Sequence, residues 1–217
     1  IIFISFMIYH HLTSLKQSHI KDMLIESPSL HAALDYAIEK HEGQKRKDGS
    51  PYVNHPIRVC TNVNKFMTDF LAEAKGSISN PDSLMESSMI SALLHDTIED
   101  TDATKDDIMR LFGKDVCSMV MDLTSDESLI EKLGKGEYLL QKLSSMPRIS
   151  RIIKLCDRLD NVCDMASASD AFKTRYSTET RFITTGLLRR IKDKTLSLSR
   201  TELSIIDKIE NEIKIYF

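Results

Sequence analysis

The chain has 217 residues, 29 of them basic and 32 acidic, for a formal charge of −3. That length is enough for one domain with a substantial core, and the near-balanced charge excludes the global field of a non-specific nucleic-acid binder, so any anion site must be local. Four cysteines, Cys60, Cys117, Cys156 and Cys163, fall in apolar or helical surroundings without a CxxC pair, which predicts reduced, buried thiols in a cytoplasmic protein rather than a disulfide framework. Cys156 and Cys163, seven residues apart, are expected on one helix face, packed rather than reactive.

Ile1 to Tyr9 form an apolar run too short for a bilayer, which needs about twenty residues. The run lacks the positive flank and cleavage site of a secretory signal, so residues 1–26 read as an N-terminal helical extension and no membrane contact is expected. Ser27-Pro28 has the chemistry of an N-cap followed by proline at the first helical position, with Leu30, Ala33, Leu34, Ala37 and Ile38 as the apolar face, and this helix should end near Glu42-Gly43. A loop from Lys47 to Tyr52, with Gly49 and Pro51, carries the Arg46-Lys47 pair. His55-Pro56 then opens a helix that turns Ile57, Cys60, Val63, Phe66 and Met67 inward.

A polar break from Lys75 to Asp82 reads as a surface insertion before the helix that leads to His95-Asp96. Thr104 and Asp107 form a capping box for a helix ending at Phe112-Gly113, followed by a short helix from Val116 to Leu123. Residues 125–136 read as a polar stretch. Pro147 introduces a periodic helix whose buried stripe is Ile149, Ile152, Ile153, Cys156, Leu159, Val162 and Cys163. Ser169 to Phe217 gives two more helices, the last with Leu203, Ile206, Ile209 and Ile213 in register. Spacings of three and four recur nearly everywhere and strand signals are weak, so the expected fold is an all-α bundle, with residues 1–217 as a single domain.

His95-Asp96 follows the apolar Ala92-Leu93-Leu94 directly, and Asp157 interrupts an otherwise buried stripe. Carboxylates in such places are costly to bury without a compensating cation. His55 supplies a further nitrogen, so His55, His95, Asp96 and Asp157 form a mixed nitrogen and oxygen set suited to Mn²⁺, with Fe²⁺ or Zn²⁺ as alternatives. Neighbours on a helix point about 100° apart, so His95 and Asp96 can share a metal only if it lies just beyond their turn, in a cleft between helices. Glu99, four residues after His95, would face the same cleft if the helix persists, and Glu99 and Asp100 are the candidates for orienting and deprotonating the attacking water. Asn161, one turn after Asp157, should face it as a neutral hydrogen-bonding group. His31 and His41 are expected on the helix surface or in a satisfied core contact.

Three segments in order, Arg46 to Pro56 (RKDGSPYVNHP), Leu93 to Thr104 (LLHDTIEDTDAT) and Lys154 to Asn161 (KLCDRLDN), resemble the hydrolase domain of the RelA/SpoT homologue family, a branch of the HD-type metal-dependent phosphohydrolases. Absence of a synthetase module in the chain makes it similar to the small alarmone hydrolases, with the likeness strongest over residues 28–185. Thr124 to Lys132 (TSDESLIEK) resembles them more loosely. The resemblance implies an orthogonal helical bundle, one Mn²⁺ ion, and hydrolysis of the 3′-pyrophosphate of guanosine tetra- or pentaphosphate to GDP or GTP and pyrophosphate. It implies metal ligation by His55, His95, Asp96 and Asp157, water handling by Glu99 and Asp100, and nucleotide contacts by Arg46 over the base, Lys47 toward phosphate, Asn161 and Tyr176. An Arg-Lys loop has suitable chemistry, since a guanidinium stacks on a purine and an ammonium meets phosphate.

Three features depart from the family's pattern. His55 and His95 are 40 residues apart (95 − 55), a longer interval than the family's. Cys156 replaces alanine and Asp160 replaces histidine; neither is read as a ligand, but the added charge of Asp160 is expected to bear on substrate preference. Glu127 stands where the small hydrolases carry lysine. The expected partner is a small-molecule nucleotide, with room for a homo-oligomer. Competing readings are an HD phosphohydrolase acting on adenosine 3′-pyrophosphates or the 2′-phosphate of NADPH, a non-catalytic nucleotide-binding module, and a helical scaffold.

Overall fold

Proline and side-chain caps set where most helices begin. The computed structural model describes residues 27–217; the expected helical extension over residues 1–26 lies outside them. Helix α1 (Pro28–Lys40) starts where Ser27 accepts the Leu30 N–H, with Pro28 in the first turn, as its sequence predicts. Next come α2 (Asn54–Glu73), α3 (Pro81–Leu94), α4 (Thr97–Asp100) and α5 (Lys105–Leu123). The chain continues through α6 (Glu127–Leu133), α7 (Lys135–Ser145), α8 (Arg148–Cys163), α9 (Asp170–Lys192) and α10 (Arg200–Ile213). A 3₁₀ turn, Lys214–Tyr216, closes the chain, and among the described residues the only β feature is the isolated bridge between Lys45 and Pro51.

Helix α8 is the hub, packing against α2, α3, α5, α9 and α10. Its Ile152, Ile153, Leu155 and Cys156 are almost wholly buried, and each aliphatic side chain so placed stabilises the fold by roughly 1.5–3 kcal/mol. Helix α3 adds an uninterrupted buried run from Ser88 to Leu94, wedged between α1, α2 and α5. Both helices thus carry their polar motifs, His95-Asp96 and Asp157, into the middle of the bundle.

Several local expectations hold and others are corrected. Thr104 and Asp107 make the reciprocal capping box, and Gly113 breaks the helical path inside α5 with φ 82° and ψ 178°, a conformation reserved for glycine. The polar stretch 125–136 is instead helical: Asp126 caps α6 by accepting the Leu129 N–H, and α7 begins directly after Gly134. Its buried face, Tyr138, Leu139, Leu140 and Leu143, packs against α9. In α10 the inward residues are Ile205, Ile206, Ile209 and Ile213, while Leu203 is exposed. At 100° per residue Leu203 sits about 120° away from Ile209, outside the stripe. Cys163, the last residue of α8, is likewise exposed although its neighbour Val162 is buried, so only three of the four thiols are buried.

Candidate metal centre and nucleotide cleft

The helix that leads to His95 stops at Leu94, and Asp96 takes φ −100° and ψ −3° before the short α4 begins. This break in the helical path lets two sequence neighbours face one point: His95 Nε2 lies 2.9 Å from Asp96 Oδ2. From α2, His55 Nε2 approaches Asp157 Oδ1 of α8 at 3.2 Å and Asp96 Oδ2 at 3.6 Å. His95 Nε2 is 3.7 Å from the same Asp157 oxygen. Ligand atoms of His55, His95 and Asp157 all fall within 4.8 Å of one another, and Asp96 contacts both imidazoles. All four residues are buried.

Hydrogen bonds behind the two rings orient them. His95 Nδ1 sits 2.8 Å from the Ala92 carbonyl, and His55 Nδ1 sits 2.6 Å from Asp160 Oδ2. A carbonyl and an ionised carboxylate only accept, so each Nδ1 carries the proton and each Nε2 faces the carboxylate pair. Buried His95 Nε2 makes no hydrogen bond of acceptable geometry despite its two acidic neighbours. Burial alone lowers the His95 pKa, yet the charges of Asp96 and Asp157 outweigh it and push the value up to about 10. His55 is raised in the same way against its own burial, by Asp157 and Asp160. Without a metal, then, the two carboxylates favour the protonated form of both histidines. Two imidazole nitrogens and two carboxylates converging in this way are a donor set that fits one divalent cation in their place.

Tyr52, Lys154 and Arg58, none of them singled out in the sequence, complete the surroundings. Tyr52 donates from its hydroxyl to Asp96 at 2.6 Å and lies 3.1 Å from Asp100. Lys154, one turn before Asp157 on α8, pairs with it at 3.0 Å, and although burial opposes the charge, Asp157 and Asp96 hold its pKa above the usual lysine value. The Asp160 carboxylate, expected from the sequence to bear on substrate preference, is engaged by His55 and the Arg58 guanidinium. The i, i+3 spacing of Lys154 and Asp157 was the available signal for the lysine; nothing local pairs Arg58 with Asp160, 102 residues away.

Glu99 and Asp100 do not share one setting. Both are exposed in α4; Asp100 joins Asp96 through Tyr52, whereas Glu99 accepts the Ser125 backbone N–H. The break after Leu94 removes the continuous helical face on which the spacing from His95 to Glu99 depended. Glu127 is exposed in the first turn of α6. Of the other histidines among the described residues, His31 is on the surface near Asp35, and His41 is buried with Nδ1 bonded to Gln44 and its ring 4.7 Å from that of Tyr52.

Beside the cluster opens a cleft of about 330 Å³ lined by Arg46, Lys47, Tyr52, Asn161, Phe172 and Tyr176, among others. It gathers all four expected nucleotide-contacting residues. The loop carrying Arg46 and Lys47 is closed by Arg46 N–H to Ser50 carbonyl and Gly49 N–H to Arg46 carbonyl bonds, with Gly49 at φ 85°. Arg46 pairs with Asp164 at 2.8 Å and donates to Asn161 at 3.1 Å, while Asn161 donates to Asp157 at 2.6 Å. Phe172 stacks on Tyr176 with centroids 5.5 Å apart and planes 13° apart, and the Lys47 ammonium lies over the Phe172 ring. An apolar stacking wall therefore faces a cationic loop, with Tyr52 and Asn161 linking the cleft to the metal-ligand cluster.

A family model described as HD domain matches residues 33–190, well over half of the chain. The chain belongs to the HD domain family. Within it the chain is similar to the guanosine-3′,5′-bis(diphosphate) 3′-pyrophosphohydrolase MESH1 of Drosophila melanogaster, 39% identical over 136 residues that cover 61% of this chain and 66% of that protein. The mouse MESH1 is 35% identical over 144 residues, covering 64% of this chain and 71% of that protein. A solved structure described as a metazoan ortholog of SpoT that hydrolyzes ppGpp superposes with a TM-score of 0.64 at 28% identity, covering 87% of this chain and 97% of that one. The HD domain here thus has the all-α bundle and the metal-dependent hydrolase kinship that its motifs resemble. Among the described residues no helix is long and apolar enough to cross a membrane.

Proposed function

We propose that the protein hydrolyses the 3′-pyrophosphate of guanosine tetra- and pentaphosphate, giving GDP or GTP and pyrophosphate, as a Mn²⁺-dependent cytoplasmic enzyme. One observation carries the reading: four side chains from three stretches of chain meet with both imidazole Nε2 atoms aimed at two carboxylates, next to a cleft with a cationic loop and an aromatic wall. His55, His95, Asp96 and Asp157 would hold the ion, which when bound supplies Lewis acidity toward phosphoryl oxygen and water.

The chain's own residues supply the rest. Tyr176 and Phe172 offer a stacking face for the base, joined by Arg46 from the opposite loop, and Lys47 neutralises phosphate charge. Asn161 fixes Asp157 and presents the cleft with a neutral polar group. Asp100, linked to Asp96 through the Tyr52 hydroxyl, would orient the attacking water and accept its proton, with Glu99 as the second carboxylate.

The test is turnover by purified protein loaded with Mn²⁺ on guanosine tetraphosphate, adenosine 3′-pyrophosphates and NADPH. Pyrophosphate release from the guanosine substrate, lost in folded His95→Ala and Asp96→Ala, is the expected result. Turnover confined to an adenosine substrate or NADPH replaces the substrate reading, and tight nucleotide binding without turnover replaces it with a binding module.

A further inference from the structure

Behind the metal-ligand cluster lies a carboxylate that is not itself one of the ligand candidates. Asp160 is only 4% exposed, one turn after Asp157 on α8, and its Oδ2 meets His55 Nδ1 at 2.6 Å. Arg58 grips the same carboxylate with two prongs, Nε to Oδ1 at 2.7 Å and Nη2 to Oδ2 at 2.9 Å. A carboxylate so paired is ionised and has only lone pairs to offer. The proton between it and the ring therefore belongs to the imidazole, and Nε2 is the atom left for a cation.

We propose that Asp160 is a positioning residue for His55: it selects the tautomer and locks the ring so that Nε2 addresses the cation, a role that rests on the metal-site reading above. The two histidines differ here. His95 gets the same service from the Ala92 carbonyl, a backbone atom that no substitution removes, whereas His55 depends on one side chain. Outer partners of metal-bound imidazoles raise the ligand's basicity and fix its orientation, and losing one typically weakens metal binding about 10- to 100-fold.

The same carboxylate also ties the metal site to the cleft. Arg58 Nη2 pairs with Asp164 at 2.9 Å, and Asp164 holds Arg46 at 2.8 Å. Arg46 reaches Asn161, which returns to Asp157. Asp157, Asp160 and Asn161 of α8 and its C-cap residue Asp164 share one face through spacings of three and four. Asp160 thus closes a ring of ion pairs and hydrogen bonds that runs from the rear of His55 to the loop in front of the cleft.

Metal affinity decides the matter without any substrate. Titration of Mn²⁺ into metal-free full-length protein, followed by calorimetry, should give a dissociation constant that rises about 10- to 100-fold in Asp160→Ala and by less in Asp160→Asn, whose amide oxygen still accepts. In ¹⁵N-labelled wild-type protein loaded with diamagnetic Zn²⁺, His55 should show a protected Nδ1–H and a metal-shifted Nε2. Folded Asp160→Ala with Mn²⁺ affinity within threefold of wild type overturns the role, as does ligation of wild-type His55 through Nδ1, a result that needs no variant to fold. Wild-type protein that takes up no Mn²⁺ overturns the metal-site reading, and this role with it.

Discussion

The Tyr52 hydroxyl donates a 2.6 Å hydrogen bond to the Asp96 carboxylate. Tyr52 also lines the nucleotide cleft and lies within 3.1 Å of Asp100, so one phenol touches a metal-ligand candidate, the water-handling candidate and the substrate space. Burial and the nearby negative charges hold its pKa above the usual tyrosine value, so it remains a donor throughout the working range. Tyr52→Phe keeps the ring and deletes the bond. We expect kcat to fall about 10- to 100-fold while stability falls by only about 1 kcal/mol. Steady-state kinetics beside a urea melt separates the two; an unchanged kcat removes Tyr52 from the machinery.

Metal-free protein should lose stability as pH rises. His95 has a folded-state pKa raised to about 10, against an ordinary histidine value near 6.5 in the unfolded chain. A raised folded pKa gives stability that is complete below the unfolded value and is lost as pH climbs through the folded one, so the decline spans about pH 6.5 to 10. Mn²⁺ requires the deprotonated nitrogens, so its apparent affinity should increase across the same window and flatten the melting profile of the loaded protein. Thermal melts at stepped pH with EDTA and with Mn²⁺ measure both trends. A metal-free profile flat from pH 6.5 to 10 contradicts the electrostatics described.

Glu202 is fully buried and bonds Arg151 at 2.5 Å while its other oxygen accepts the N–H of Ser199, the residue that caps α10. Removing one partner strands a buried charge, so Glu202→Ala should cost about 3–5 kcal/mol. Denaturant unfolding of the variant is the measurement, and a loss below about 1 kcal/mol would show that Arg151 finds another acceptor.

Gly113→Ala tests the kink in α5. No atom lies within 4 Å of the added Cβ, so the penalty is purely conformational, from φ 82° and ψ 178°. We expect a loss of about 1–3 kcal/mol with Mn²⁺ affinity unchanged. Altered metal binding would mean that the kink transmits to the cluster.

The helical fold was legible because apolar spacing, caps and breakers are local signals. Ser27-Pro28, the Thr104 and Asp107 box and Gly113 act where they stand in the sequence. Residues 125–136 failed as a reading since α6 is short and largely exposed, held by one aspartate cap, and offers almost no apolar stripe. Leu203 and Cys163 are exposed for a related reason: hydrophobic identity marks a candidate for the core, but which way each position of the docked helix faces decides whether it arrives there.

Among the site residues, the sequence by itself determined the donors. An imidazole and a carboxylate directly after an apolar run, a third carboxylate inside a buried stripe and a cationic glycine loop are chemical oddities visible without coordinates. Only the tertiary structure decided how they are supported: that Asp160 stands behind His55 rather than in the cleft, that Arg58 answers it from α2, and that Tyr52 joins Asp96 to Asp100 while Glu99 turns to Ser125. These partners are 26 to 105 residues apart along the chain. Hydrogen bonds act over about 3 Å, so which groups meet depends on how the helices dock, and no local pattern in the sequence encodes that.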